Sequence, residues 1–297
     1  MYDVIIIGRG PAGISAALYT ARANLKTLVI GQRESALKRA SKIENYYGFS
    51  QPISGEYLLS EGEKQVLRLG IEMVSGEVVS IEKQSYYEVT ASQNVYTGKT
   101  VLMATGQAYS KIKLQNLERF EGNGVSYCST CDGFFYRGLT VGVLGYKDYA
   151  VHEAMELEAF TKNITIYTNG MELQLTDKFA EEAYRFKINT RPILKLEGSE
   201  ALQSIHFKDG TSEELDGLFV AYETASTSDF ARKLGIMTRD NSIIVDENQT
   251  TNLEGLFAAG DCTGGFKQIS TAVGQGAMAG KKIIEYVRGL KKSDKED

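Results

Sequence analysis

The side chains best suited to chemistry are Cys128 and Cys131, which have the spacing C-x-x-C within "YCSTCDG". Two thiols at this spacing in a reducing compartment are typical of redox chemistry, or of half of a metal site. The remaining cysteine is Cys262, and the two histidines are His152 and His206, so a second pair of zinc ligands is lacking. Dithiol–disulfide chemistry is the better interpretation, and no metal site is predicted.

Composition limits the classes of protein to which the chain can belong. Its 297 residues are 42% hydrophobic, which is enough for two domains with substantial cores. The net charge of -5 is spread over interspersed acids and bases, so a nucleic-acid-binding face is not expected. The apolar run "VIIIG" ends at Gly8 and is too short for a signal peptide or a membrane span. We therefore expect a cytoplasmic protein without membrane or nucleic-acid partners.

The opening segment "YDVIIIGRGPAGISAALYTARANLKTLVIG" predicts a buried strand, a glycine-rich turn, an alanine-rich helix and a second strand. Gly8 permits the tight turn, Gly10 lets the backbone approach a diphosphate, and Gly13 allows close helix packing. The helix N-terminus supplies partial positive charge. These features predict a dinucleotide-binding βαβ unit.

The sequence does not determine which residue of this unit would contact the ribose. An acidic residue is expected where the second strand ends, because it would accept hydrogen bonds from ribose hydroxyls. Here the strand ends at Gly31 and Gln32. Glu34 lies at about the right distance, but a glutamate at this position is equally typical of a solvated surface.

The rest of the chain predicts a second unit of the same type inside the first. Residues 86–101 alternate like a β-hairpin leading into the strand "VLMATG", and a polar segment follows. The segment "LTVGVLGYKDYAVHEAMELEAFTKNITIYTNG" then repeats the strand–turn–helix–strand order. The late segment "GLFAAGDCTGG" and the helix after it return to the style of the first unit. We predict an α/β protein with one domain of residues 1–112 and 232–297, and an inserted domain of residues 113–231.

The segment "SYCSTCDG" resembles the redox-active segment of low-molecular-weight bacterial thioredoxin reductases, and the resemblance covers essentially the whole chain. Supporting segments are "IIIGRGPAGISAALYTARA", "IENYYGFSQPISGEYLL", "ATG" and "GLFAAGDCTGGFKQISTAVGQGAMAG". The resemblance implies two Rossmann-like domains of the three-layer ββα type, FAD as cofactor, a thioredoxin or thioredoxin-like protein as substrate, and a homodimer.

The resemblance also assigns roles to residues. Cys128 and Cys131 would form a reversible disulfide, with one sulfur facing the flavin and exchange running through a mixed disulfide with thioredoxin. Asp132 would deliver or take the proton that the exchange requires. As an alternative, Asp132 is only a helix cap or a turn residue.

The implied FAD site draws on several separate segments. Three glycines hold the diphosphate, Gly260 and Asp261 reach the ribityl chain, and Gln268 and Ile269 line the pyrimidine edge. Asp261 is alternatively a cap of the last helix. The complete implied set is Gly8, Gly10, Pro11, Ala12, Gly13, Gln32, Asn45, Thr105, Gly106, Gly260, Asp261, Gln268 and Ile269.

The inserted unit departs from NADPH-dependent relatives in three places. Its turn "VLGYKDYAVHEA" has Lys147 where the second glycine of the nucleotide motif belongs. Residues 168–170, "TNG", replace a basic cluster that neutralises the 2′-phosphate, and they bring no acid suited to NAD. The segment "VAYETASTSDF" introduces Tyr222 and Glu223 where relatives have a glycine-containing strand end. The unit is therefore predicted to lack a working NAD(P)H site.

This pattern resembles the pyridine-nucleotide-independent branch of the family, the ferredoxin-dependent flavin thioredoxin reductases. The resemblance implies reduced ferredoxin as the electron donor. Ferredoxins are usually acidic, so "RESALKRASK", with Arg33, Lys38, Arg39 and Lys42, is a candidate docking segment or simply a mixed helical surface. Two alternatives remain open. One is an NADPH-dependent reductase with an atypical nucleotide site, and the other is a non-catalytic flavin-bound redox sensor.

Overall fold

The computed structural model describes residues 1–32, 35–92, 94–106 and 112–293. The chain forms two compact units, the first of Met1–Ala108 with Ser226–Asp297 and the second of Tyr109–Ala225. The second unit begins and ends a few residues before the predicted boundaries. At its end the reason is local, because Ser226 already caps a helix of the first unit through a capping box with Asp229.

The elements follow one another along the chain from the first unit into the second and back. The first unit opens with β1 (Tyr2–Ile7), α1 (Pro11–Arg22), β2 (Thr27–Gly31), α2 (Gly55–Arg68), β3 (Glu72–Ser75), β4 (Val78–Lys83), β5 (Tyr87–Ala91) and β6 (Asn94–Met103). The second unit comprises β7 (Val125–Ser126), α3 (Ser129–Asp132), β8 (Val141–Leu144), α4 (Asp148–Leu157), β9 (Ile164–Tyr167), α5 (Asp177–Ala183), β10 (Lys187–Asn189), β11 (Ile193–Glu197), β12 (Ser204–Phe207), β13 (Ser212–Glu214) and β14 (Gly217–Val220). The chain returns to the first unit with α6 (Thr227–Leu234), β15 (Thr238–Arg239), β16 (Ser242–Ile243), β17 (Leu256–Ala258) and α7 (Ile269–Ser293).

The first unit is built on a mixed sheet in the order β3-β2-β1-β6-β5-β4, with β17 also paired to β6. Strands β3, β2, β1, β6 and β17 run parallel, and β4, β5 and β6 form an antiparallel meander. Small residues bring α7 close to α1, because a Cβ at Gly276 would lie 2.1 Å from the Ala12 carbonyl oxygen. Because β1, β6 and β17 are parallel neighbours, their carboxyl ends meet at one edge of the sheet, where α1 begins.

The second unit has a parallel sheet in the order β10-β9-β8-β14-β7 and a three-stranded antiparallel sheet of β11, β12 and β13. Every residue of β8 and β9 is buried, as expected for strands covered on both faces. The strand order reverses direction between β8 and β14. Ligands of open α/β sheets bind at such a switch point, beside the carboxyl ends of the strands.

The predicted α/β fold class with two Rossmann-like units is confirmed. The predicted hairpin is the β5–β6 pair, and the second strand–turn–helix–strand segment is β8, α4 and β9. None of the helices in the described part of the chain is long and apolar enough to cross a membrane. Within the same residues, His, Cys, Asp and Glu side chains form no group of three or more that could bind a metal ion.

Candidate active site and cofactor site

Cys128 and Cys131 form a disulfide in the second unit. Cys128 is buried directly before α3, and Cys131 is exposed within α3. The backbone N–H of Cys131 donates to the Cys128 Sγ at 3.2 Å. The short helix thus holds the two sulfurs of the C-x-x-C motif together, as redox chemistry requires.

Asp132 is tied to the same segment by a buried hydroxyl. The Ser126 Oγ donates to the Asp132 Oδ2 at 2.6 Å and accepts from the backbone N–H of Cys128 at 3.1 Å. The Asp132 side chain makes no capping hydrogen bond to the 3₁₀ turn Gly133–Tyr136 that follows it. The carboxylate therefore does not cap this turn although Asp132 lies at its N-cap position, and its part in proton transfer stays a prediction.

Glu153 is a buried carboxylate that contacts the disulfide segment, and it was not predicted from the sequence. Glu153 lies on α4 with its side chain 3% exposed, and its Oε2 accepts from the backbone N–H of Ser129 at 3.2 Å. The half-buried His152 has its Nδ1 3.6 Å from the Glu153 Oε1. A glutamate in "AVHEAMEL" reads as an ordinary helix residue, so only the packing of α3 on α4 reveals its position.

Two phenylalanines next to the disulfide segment are exposed to solvent. Phe134 is 61% and Phe135 73% exposed, and their rings meet edge to face. The guanidinium of Arg137 lies 5.1 Å from the centre of the Phe134 ring. Adjacent exposed aromatic side chains of this kind are typical of surfaces that contact another protein.

The glycine-rich loop of the first unit has the geometry that a diphosphate requires. A Cβ at Gly8 would lie 2.0 Å from the Ala104 carbonyl oxygen, and one at Gly13 would lie 2.1 Å from the Gly8 carbonyl oxygen. A Cβ at Gly10, in contrast, would meet no protein atom of the described residues within 4 Å. Gly10 thus leaves open space at the start of α1, where Pro11 occupies the first helical position and no acidic residue lies in the first turn.

The other residues assigned to FAD follow neighbouring parallel strands of the first unit. Thr105 and Gly106 follow β6, while Gly260 and Asp261 follow β17. Because the carboxyl ends of these strands and of β1 meet at one edge, the residues are brought to the glycine-rich loop. The alternative role of Asp261 is wrong, because α7 begins only at Ile269.

Side-chain contacts tie these segments to one another. The Asn45 Nδ2 donates to the Gln268 Oε1 at 3.0 Å, so the loop before α2 reaches the start of α7. The hydroxyls of Thr105 and Thr227 lie 2.6 Å apart.

Ala12 is buried in α1, and a Cβ at Gly260 would lie 2.9 Å from its Cβ. Gln32 is exposed after β2. The residues at this edge fit a dinucleotide, and they are the candidate FAD site.

Two sequence-based candidates fall on residues that lie outside the described part of the chain. These are Glu34, considered for the ribose, and Arg33 of the basic segment. Of the remaining basic residues, Lys38 and Arg39 lie in a 3₁₀ turn, and the Lys42 Nζ pairs with the Glu44 carboxylate at 2.8 Å.

The altered nucleotide turn of the second unit is occupied by side chains of the protein itself. The Lys147 Nζ pairs with the Glu223 Oε2 at 2.7 Å, and the Tyr146 hydroxyl donates to the Glu223 Oε1 at 3.0 Å. The Tyr146 and Tyr222 rings meet edge to face with centres 5.3 Å apart. Burial, and then the hydrogen bond to Glu223, raise the pKa of Tyr146.

This cluster of Tyr146, Lys147, Tyr222 and Glu223, which we call the Lys147–Glu223 plug, also reaches β9. The Tyr222 hydroxyl interacts with the side chain of Asn169, two residues after β9. The three departures found in the sequence are therefore one set of contacts across the carboxyl ends of β8, β14 and β9. This is the switch point of the second sheet.

Comparisons with known proteins agree with this arrangement of sites. Residues 2–276 match the family described as pyridine nucleotide-disulphide oxidoreductase. The chain belongs to this family. It is 34% identical to a thioredoxin reductase of Aquifex aeolicus over 308 residues, covering 98% of this chain and 95% of that protein. Thioredoxin reductases of this family are FAD-binding flavoproteins.

Two solved structures are also similar to this chain. The atypical thioredoxin reductase TRi from Desulfovibrio vulgaris Hildenborough is 38% identical, with a TM-score of 0.93 and coverage of 97% of this chain and 99% of that one. A ferredoxin-flavin thioredoxin reductase from Clostridium acetobutylicum is 29% identical, with a TM-score of 0.73 and coverage of 97% and 98%. The protein is thus a thioredoxin reductase-like flavin disulfide oxidoreductase.

Proposed function

We propose that this enzyme reduces thioredoxin or a thioredoxin-like protein through the Cys128–Cys131 disulfide, and that reduced ferredoxin, rather than NADPH, supplies its electrons. The Lys147–Glu223 plug is the observation that carries the choice of donor. The similarity to a ferredoxin-flavin thioredoxin reductase supports the same choice.

The plug opposes a pyridine nucleotide for steric and electrostatic reasons. A dinucleotide needs close contact between its diphosphate and the backbone of the turn after the first strand. In this turn the Lys147 side chain extends to Glu223, whose carboxylate also accepts from Tyr146. Because Glu223 already neutralises the Lys147 ammonium, the plug offers no net positive charge to the diphosphate, and residues 168–170 offer no cation for a 2′-phosphate.

Energetics and cofactor chemistry allow ferredoxin as the donor. Bound FAD would collect electrons one at a time and pass a pair to a disulfide. A plant-type ferredoxin near -400 mV and thioredoxin near -270 mV differ by ~130 mV, or about 6 kcal/mol for two electrons. Reduction of thioredoxin is therefore strongly favoured.

The residues of the first unit divide the binding of FAD among them. Gly8, Gly10 and Gly13 would hold the diphosphate at the start of α1, and the residues after β17 would reach the ribityl chain. The linked Asn45 and Gln268 side chains would hold the pyrimidine edge.

The residues of the second unit carry out the exchange with thioredoxin. A thiolate of the reduced Cys128–Cys131 pair attacks the substrate disulfide and forms a mixed disulfide, and one substrate sulfur leaves as a thiolate. The Asp132 carboxylate takes the proton of the second enzyme thiol and passes it to this sulfur. The second enzyme thiolate then attacks the mixed disulfide, which restores the enzyme disulfide and releases the second substrate sulfur.

An anaerobic experiment tests the proposal. We would add NADPH, NADH or reduced ferredoxin in turn, and follow flavin bleaching and the appearance of thioredoxin thiols. Ferredoxin alone should support both signals. Rapid bleaching by NADPH would refute the choice of donor, whereas thiol turnover that stays slow with every donor would favour the redox sensor. Cys128→Ser and Cys131→Ser variants should retain FAD and lose thioredoxin reduction, and turnover in both would refute the assigned disulfide.

A further inference from the structure

Arg9 occupies an unusual place in the glycine-rich loop of the first unit. It stands between Gly8 and Gly10, in the loop that would hold the FAD diphosphate, and its side chain is only 7% exposed. A long charged side chain is rarely buried unless its polar groups have partners. The contacts of this side chain therefore show what it does.

Three neighbouring segments hold the Arg9 guanidinium at the carboxyl end of β2. Its Nη2 pairs with the Glu63 Oε1 of α2 at 2.7 Å, and its Nη1 donates to the Ser75 Oγ of β3 at 2.7 Å. Gly31, at the end of β2, leaves room for the stem, because a Cβ there would lie 3.0 Å from the Arg9 Cγ. The side chain is thus fixed in one position by α2, β2 and β3.

One nitrogen of this fixed side chain, Nε, makes none of these contacts. The Arg9 Nε is buried and has no hydrogen-bond partner among the described residues. A buried N–H without an acceptor is destabilising, so proteins seldom keep one. The position of this donor, beside the diphosphate loop and the end of β2, is where a dinucleotide-binding unit holds ribose. In this chain that strand ends in Gly31 and an exposed Gln32 instead of an acid.

We propose that Arg9 anchors the adenosine half of FAD, with its Nε donating to an oxygen of the adenosine ribose or the adjoining phosphate. Glu63 and Ser75 are positioning residues that keep the guanidinium at the end of β2. The inference concerns FAD alone, so it holds whichever donor reduces the flavin.

Binding of FAD and FMN to the full-length apoprotein tests this role, because FMN lacks the adenosine half. Arg9→Gln removes the charge, and Arg9→Lys keeps a cation for Glu63 but lacks the Nε donor. Both variants should bind FAD at least about tenfold more weakly, as measured by quenching of flavin fluorescence, and FMN with unchanged affinity. Arg22→Gln, at an exposed arginine of α1, should change neither affinity.

A purely structural role for Arg9 gives different results. In that case the variants would lower the melting temperature of the apoprotein and weaken FAD and FMN equally, or leave both unchanged. Either result overturns the proposal. Because Arg9→Lys retains the pairing with Glu63, wild-type FAD affinity in a folded Arg9→Lys protein would overturn it as well.

Discussion

The Ser126 Oγ lies 2.6 Å from the Asp132 Oδ2, and the same hydroxyl accepts from the backbone N–H of Cys128. A single buried side chain therefore links the acid to the first cysteine of the disulfide. Since Ser126 lies on β7 in the parallel sheet, the position of the carboxylate is set by a rigid element. This suits a group that must exchange a proton with a neighbouring sulfur.

Asp132→Asn should slow the oxidation of the reduced enzyme by thioredoxin. Removal of a general acid or base typically costs about 10²- to 10⁴-fold. Ser126→Ala keeps the acid but releases it, so we expect a smaller loss of about tenfold. Stopped-flow mixing of reduced enzyme with oxidised thioredoxin measures both rates. Equal rates in the wild type and Asp132→Asn would show that the carboxyl group does not take part.

The exposed Phe134 and Phe135 should contribute to the binding of thioredoxin. Replacing both by alanine removes apolar surface beside the disulfide, and should raise the KM for thioredoxin about tenfold or more with little change in kcat. Tyr184→Ala is the matched control, because Tyr184 is 89% exposed and belongs to the same unit. An unchanged KM in the double variant would mean that thioredoxin binds elsewhere.

Gly10 and Gly13 should differ sharply when replaced by alanine. A Cβ at Gly10 has open space, so Gly10→Ala should leave the apoprotein as stable as the wild type while it obstructs the diphosphate and weakens FAD at least about tenfold. Gly13→Ala should destabilise the fold itself, because its Cβ would lie 2.1 Å from the Gly8 carbonyl oxygen.

Melting of the apoprotein and titration with FAD separate these two effects. Gly289→Ala provides the control, since this exposed helical position also has free space for a Cβ. Unchanged FAD affinity in Gly10→Ala would exclude the loop as the diphosphate site.

The fold and the two chemical segments could be predicted because both depend on local patterns. Strand–glycine–helix order predicts a Rossmann-like unit, and the spacing of Cys128 and Cys131 predicts redox chemistry. Arg9 and Glu153 could not be predicted in this way. Their burial depends on contacts with Glu63, Ser75 and Ser129, which lie 24 to 66 residues away in the chain.

The Lys147–Glu223 plug could be predicted only in part. Lys147, residues 168–170, Tyr222 and Glu223 were each recognisable as departures from a nucleotide motif. Their direct contact follows from the sheet, because β14 pairs with β8 and brings Val220 beside Leu144, 76 positions earlier in the chain. Lys147 and Glu223, which follow these two strands, are likewise 76 positions apart. The sequence shows which residues depart from the nucleotide motif, and the strand order explains why these residues are in contact.

Glu153 should stabilise the disulfide segment by accepting from the Ser129 N–H. Glu153→Ala leaves that amide without its acceptor and should lower the free energy of unfolding by about 1–3 kcal/mol. Glu153→Gln keeps an oxygen of similar reach and should lower it less. Urea denaturation of the oxidised protein checks the order of the two variants. Equal losses in both would mean that the charge of Glu153 matters more than its hydrogen bond.

Cys262 should not react with thiol reagents in the folded enzyme. It is fully buried, and burial raises its pKa from 9.0 to about 11. The reduced, folded protein should therefore show at most the two thiols of the Cys128–Cys131 pair at neutral pH, with the third appearing only on unfolding. Titration with a chromogenic disulfide reagent, before and after denaturation, counts them. Three fast thiols in the folded protein would contradict this.

The same burial predicts how Cys262 affects stability in alkali. Because the pKa is higher in the folded state, the contribution of the thiol to stability is complete below about pH 9 and is lost as the pH rises towards 11. The unfolded thiol ionises first in this range, which favours unfolding by up to about 3 kcal/mol. Cys262→Ala lacks this ionisation. Its free energy of unfolding should therefore fall less steeply than that of the wild type between about pH 8.5 and 10.5. Parallel curves for the two proteins would show that Cys262 ionises equally well in both states.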